Sequence, residues 1–134
     1  MDLNDLYEYA GHNGVVVNCF KMLNCKSLSV CDENGHCFIA MNPFAQNTTA
    51  EERVQLAHEL GHCLAGGFYG EGTDICERRR SERRANIFAY RLLVDKKELQ
   101  NLIKNGDTSV WELAERFNVT DEFMADAIEY YKNN

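Results

Sequence analysis

Hydrophobic and polar positions divide the chain into three stretches of different period. A short helix-like stretch, Leu3 to Ala10, breaks at Gly11-His12-Asn13-Gly14, after which β-branched and apolar residues dominate. Val15-Val16-Val17-Asn18-Cys19-Phe20 reads as a strand, because branched side chains suit a pleated surface. Ser27–Cys31 and His36–Met41 are further strand candidates, and Asn34-Gly35 between them is a strong hairpin signal. Pro43, the one proline, closes this region.

From residue 48 the period becomes helical. Thr48 and Thr49 each have a Glu three places on, a capping-box start. The helix they open runs through Val54, Ala57, His58 and Cys63, and Gly66-Gly67 is expected to stop it. A glycine- and charge-rich stretch, Gly70 to Arg80, leads to a second helix. There Ala85, Phe88, Ala89, Leu92 and Leu93 recur at i, i+3, i+4, i+7 and i+8. Two more amphipathic helices follow, one striped by Val110, Leu113, Ala114 and Phe117, the other spanning Asp121 to Tyr131. Asn118-Val119-Thr120 turns between them. The pattern predicts an α+β fold, a small antiparallel sheet followed by a helical bundle. The chain is expected to be one domain, 1–134. Residues 1–48 supply a helix and the sheet, 49–95 the helices that carry the site described next, and 96–134 the C-terminal helices.

Composition narrows the class. With 134 residues, 45% hydrophobic and 26% charged, the chain is that of an ordinary globular domain. No apolar run approaches the roughly 18 residues of a membrane span. The acidic start Met1-Asp2-Leu3-Asn4-Asp5 does not resemble a secretory leader, so a cytoplasmic location is expected. Net charge is −7, and residues 107–134 hold 2 basic and 7 acidic side chains. Such a surface repels phosphate backbones, and neither nucleic acid nor a membrane is an expected partner. The six cysteines, at 19, 25, 31, 37, 63 and 76, contain no C-x-x-C pair, and are expected to be reduced and mostly buried. The even spacing of the first four has no evident physical reason.

The candidate chemistry lies in His58-Glu59-Leu60-Gly61-His62. Four residues advance a helix by slightly more than one turn, so both imidazoles leave one face and can grip one Zn²⁺. Glu59 projects at another angle, within reach of a water on the metal, and is the candidate general base. In a chain of this composition the pattern arises by chance about once in a hundred. A catalytic zinc site needs a third protein ligand and an open position. Glu82 is the downstream candidate, three and seven residues before the inward-facing Ala85 and Ala89. Spacing alone leaves it either a ligand or a first-turn glutamate favoured by the helix dipole or paired with Arg79 or Arg83.

His58-Glu59-Leu60-Gly61-His62 followed by Glu82-x-x-Ala85-Asn86-x-Phe88-Ala89-x-x-Leu92-Leu93 resembles the ImmA/IrrE family of zinc metallopeptidases. The Ile39-x-Met41-Asn42 strand end and the Arg53-x-x-x-Ala57 lead-in agree, and the likeness covers roughly residues 36–95. It implies a zincin-like fold, zinc held by His58, His62 and Glu82, and peptide-bond hydrolysis. It also implies a protein substrate, in many members a helix-turn-helix repressor of a mobile element or stress response. The family's usual proline after the Leu-Leu pair is replaced by Val94-Asp95. In zinc peptidases of this build a sheet-edge strand beside the metal helix pairs with the extended substrate, and His36–Met41 is the expected strand.

Other features are weaker. Arg78, Arg79, Arg80, Arg83 and Arg84 form a solvated face or a docking patch beside Glu82. Residues 109–130 outline a helix-turn-helix, yet their acidity suits packing better than DNA. Trp111 is expected to anchor the core or line the site edge. Tyr69 or Tyr90 could steady a tetrahedral intermediate, and Cys63, pointing away from His62, is expected in the core. The alternative to catalysis is a zinc-stabilised module that sequesters a regulator without cutting it.

Overall fold

A computed structural model describes residues 1–66, 68–70, 72–106 and 109–134; Gly67 of the expected helix stop and Glu71 of the charge-rich stretch lie outside the described residues. Helix α1 (Leu3–His12) is opened by a capping box in which Asp2 and Asp5 exchange side-chain-to-backbone hydrogen bonds. Strands β1 (Val16–Cys19), β2 (Ser27–Cys31) and β3 (Cys37–Met41) follow. Next come α2 (Thr49–Leu64), α3 (Ile75–Leu93), α4 (Lys96–Lys104), α5 (Val110–Phe117) and α6 (Asp121–Lys132). The fold is α+β, as the pattern predicts.

The sheet order is β1-β3-β2. The hairpin expected at Asn34-Gly35 pairs β2 antiparallel to β3, with Gly35 at φ +81°. β1 joins β3 in parallel, so the sheet is mixed rather than antiparallel throughout. His36–Met41, expected at the edge, is therefore the central strand, and β2 is an edge strand packed against the helix that carries His58 and His62. The reason lies in side-chain alternation. Cys37, Ile39 and Met41 of β3 are buried against the helices, as a strand paired on both sides requires. Opposite them in register, β2 presents Cys31, Ser29 and Ser27 to that same inner face. Its apolar Leu28 and Val30 look outward, 51% and 49% exposed.

Of the two candidate caps, Thr48 opens α2, its hydroxyl accepting from Glu51 N at 3.1 Å. Helix α3 begins at Ile75 rather than after Arg80, because Asp74 caps it by accepting from Cys76 N at 2.7 Å. Among the described residues, three helices rather than two form the C-terminal part. The additional α4 is capped by Asp95, which accepts from Glu98 N, in place of the family's proline. Asn118 takes the left-handed conformation (φ 51°) that ends α5, and Thr120 caps α6.

Leu6, Ile39, Met41, Leu56, Leu60, Leu113 and Met124 centre the core, with Ala85, Ala89 and Leu93 of α3 against it. Arg53 is buried among these groups. Its guanidinium donates to Phe117 O and Met1 O at 2.7 Å each, and to Asn118 O, tying α2 to the α5–α6 turn and the N-terminus. Burial draws its pKa down, opposed by the nearby Asp2 carboxylate.

Two expectations fail here. Trp111 is 60% exposed in a shallow groove with Glu112, Glu115 and Arg116, because the buried stripe of α5 runs through Leu113, Ala114 and Phe117. The cysteines are not mostly buried thiols. Cys37 and Cys63 are joined in a disulfide between β3 and α2, Cys19, Cys31 and Cys76 are exposed, and Cys25 is half-buried. Cys63 does face the core, where it meets the inward-pointing Cys37. Among the described residues, no helix is long and apolar enough to cross a membrane.

Candidate metal centre

Helices α2 and α3 lie against each other over Gly61. A Cβ added there would stand 2.6 Å from Ala85 O and 2.7 Å from Ala85 Cα, so only glycine permits this approach. The close crossing carries Glu82, one turn before Ala85, to the face of α2 from which His58 and His62 project. Glu82 lies in the interior of α3, not in its first turn, and its carboxylate meets neither Arg79 nor Arg83. Instead Oε2 lies 2.9 Å from His58 Nε2 and Oε1 lies 3.2 Å from His62 Nε2. The imidazoles stand edge to face with centroids 4.8 Å apart.

One ligand atom from each of His58, His62 and Glu82 falls within 4.8 Å of the others, the one such group among the described residues. Donors bound at about 2.1 Å around a tetrahedral ion stand roughly 3.4 Å apart, so the trio fits a zinc-sized ion after small adjustments. The second nitrogen of His58 is also held. His58 Nδ1 lies 2.8 Å from Asn86 Oδ1, an acceptor, so Nδ1 carries the hydrogen. In the neutral ring, Nε2 then presents a lone pair to a carboxylate oxygen 2.9 Å away. Two acceptors that close need a cation between them, either a proton or a metal. A histidine ligand held by its second nitrogen is a recurring feature of metal sites.

Glu59 is buried, 7% exposed, on the same helix. Both its oxygens accept from β2: Oε2 from Ser27 Oγ at 2.6 Å and Oε1 from Ser29 Oγ at 2.8 Å. Glu59, both serines, the three candidate ligands and Tyr69 line one cavity of about 310 Å³. Tyr69, of the two tyrosine candidates, is therefore at the site. Its hydroxyl donates to Glu82 Oε1 at 2.9 Å. That bond to a carboxylate raises the phenol's pKa, while the Arg78 guanidinium, 5.6 Å over the ring, pulls the other way. Tyr90 lies outside this group. It lines a neighbouring cavity of about 510 Å³ that reaches the site through His58 and Asn86.

The two remaining histidines lie away from this group. His36 pairs with Asp32 in the hairpin turn, and His12 ends α1. Arg80 and Arg84 pair with Glu77 on their own helix, leaving the arginine run mainly a solvated face. Sequence reasoning missed Ser27, Ser29 and the structural part of Gly61. Asn86 had a usable signal, since four residues after Glu82 it shares that helix face. Nothing in the spacing links the serines to a glutamate some thirty residues away.

No curated protein matches the chain. Residues 10–129 match peptidase M78, described as the IrrE N-terminal-like domain. That match spans most of the chain, through β1 and the metal helix to α6, and joins a peptidase family to a His-His-Glu group that could hold a metal ion. The chain belongs to the M78 peptidase family, the group of IrrE N-terminal-like domains.

Proposed function

We propose that this protein is a zinc-dependent endopeptidase acting on a protein substrate, with the whole chain, 1–134, as one metallopeptidase domain. The observation that carries the reading is the convergence of His58 Nε2, His62 Nε2 and the Glu82 carboxylate beside the buried Glu59. In this reading the first three are the metal ligands. When bound, zinc supplies Lewis acidity, acidifying water and polarising a carbonyl. Glu59 takes the proton of the attacking water and hands it to the departing amine. Asn86 keeps His58 in the tautomer that ligates. Tyr69, rather than Tyr90, is the phenol that steadies the developing oxyanion.

An extended substrate would add to the free edge of β2, which lines the same cavity, rather than to β3. The substrate class we favour is a helix-turn-helix repressor of a mobile element or stress response, on the strength of family resemblance. A cytoplasmic location belongs to this reading, and in a reducing compartment Cys37 and Cys63 would be two thiols in contact.

The test is incubation with candidate repressors, with and without chelator. Two fragments are expected, none after metal removal, and cleavage again after zinc is restored. Glu59→Gln should retain zinc and lose cleavage, whereas His58→Ala should lose both. A partner recovered intact in a stable complex with zinc-loaded wild type would favour the sequestering module instead.

A further inference from the structure

Strand β2 is built inside out. Ser-Leu-Ser-Val-Cys alternates so that Leu28 and Val30 would ordinarily face the core, yet both are about half exposed while Ser27 and Ser29 face α2. Register with β3 dictates this, since Ser27 stands opposite Met41 and Ser29 opposite Ile39, both buried. Two hydroxyls thus occupy inward positions where apolar side chains would bury more area. A local rule broken in this way calls for a compensating gain.

The gain is visible at Glu59. Residues i and i+2 of a strand share a face, and here each delivers one hydroxyl to one oxygen of the same carboxylate, at 2.6 Å and 2.8 Å. The Ser27 hydroxyl has a single hydrogen and two acceptors in range, Glu59 Oε2 at 2.6 Å and Gln55 Oε1 at 2.8 Å. The nearer acceptor, the Glu59 oxygen, takes it. A carboxylate oxygen has two lone pairs, so each serine bond leaves one free for the proton of a water.

We infer that Ser27 and Ser29 are positioning residues that hold the Glu59 carboxylate in its working rotamer from the edge strand of the sheet. The inference rests on Glu59 being the general base of a metal site. Without the clamp the buried glutamate would sample other rotamers, and its fixed aim would be lost.

The test uses cobalt(II)-loaded protein, with ligand binding read from visible absorbance. Benzohydroxamate binds a metal and also gives a proton to a neighbouring carboxylate, whereas azide binds the metal and has no proton to give. Ser27→Ala/Ser29→Ala should weaken benzohydroxamate about tenfold, with azide and cobalt affinity unchanged within twofold. Ser27→Thr/Ser29→Thr, which keeps both hydroxyls on a residue suited to a strand, should restore it. The single variant Ser29→Ala should show an intermediate loss and serves if the double variant does not fold. Benzohydroxamate bound equally by wild type and the alanine variants, while Glu59→Gln weakens it, would overturn the clamp and leave the metal-site reading standing. Equal loss of azide and benzohydroxamate would also overturn it, because the serines would then support the metal site as a whole. Wild type that takes up no cobalt would overturn the metallopeptidase reading, and the clamp with it.

Discussion

Asn86 touches His58 at the ring nitrogen turned away from Glu82, whereas Tyr69 touches Glu82 at the oxygen nearest His62, so they should affect the site differently. Asn86 accepts from His58 Nδ1. Its removal frees the ring to take the other tautomer, and Asn86→Ala is expected to weaken zinc binding about 10- to 100-fold. Asn86→Asp, which keeps an acceptor, should hold it near wild type. Competition against a chromogenic chelator measures both, and equal affinity for Asn86→Ala would remove the orienting role. Tyr69 donates to Glu82 Oε1 from a loop, and its raised pKa keeps the phenol a donor throughout the neutral range. Tyr69→Phe should leave one zinc per chain and lower turnover about 100-fold. Full turnover in that variant would return the oxyanion function to another group.

At the scale of elements, the site depends on how closely α3 approaches α2. Gly61→Ala places a methyl within 2.6 Å of backbone oxygen, which no side-chain rotation can relieve. The variant is expected to push α3 outward, carry Glu82 off the histidines and lower zinc affinity more than Tm; unchanged affinity would show that the crossing does not set the ligand distance. Arg53 holds the other end of α2. Arg53→Met should destabilise the fold by about 3 kcal/mol, as three carbonyls lose a charged donor, with a denaturant midpoint as the measure. The sequence pattern made α2, α3, α5 and α6 legible because their apolar residues recur at helical spacing. It concealed α4, whose lysine-rich first turn hides a short stripe behind an Asp95–Glu98 cap. The histidine pair could be read because helix geometry alone brings i and i+4 together. Sheet order, the inward serines and the Gly61 crossing could not, because each depends on contacts between residues distant in the chain.

On the scale of the whole molecule, one covalent link joins the sheet to α2. The Cys37–Cys63 disulfide closes a loop with a sequence separation of 26 residues. Constraining a loop of that length in the unfolded chain stabilises the fold by about 3.5 kcal/mol. Cys37→Ser/Cys63→Ser should therefore lower Tm by about 10 °C relative to the oxidised wild type. Added reductant should bring the wild type down towards the variant and leave the variant unmoved. Zinc bound to the folded form should raise Tm in both, since a ligand held only by the native state stabilises it.

If His58, His62 and Glu82 together hold a single metal ion, the metal content of the purified protein will show it. Wild type loaded with zinc and dialysed should retain one zinc per chain by elemental analysis, and His58→Ala treated identically should retain none. Wild type without zinc, or a variant that holds as much as wild type, would mean that these three side chains do not bind a metal together.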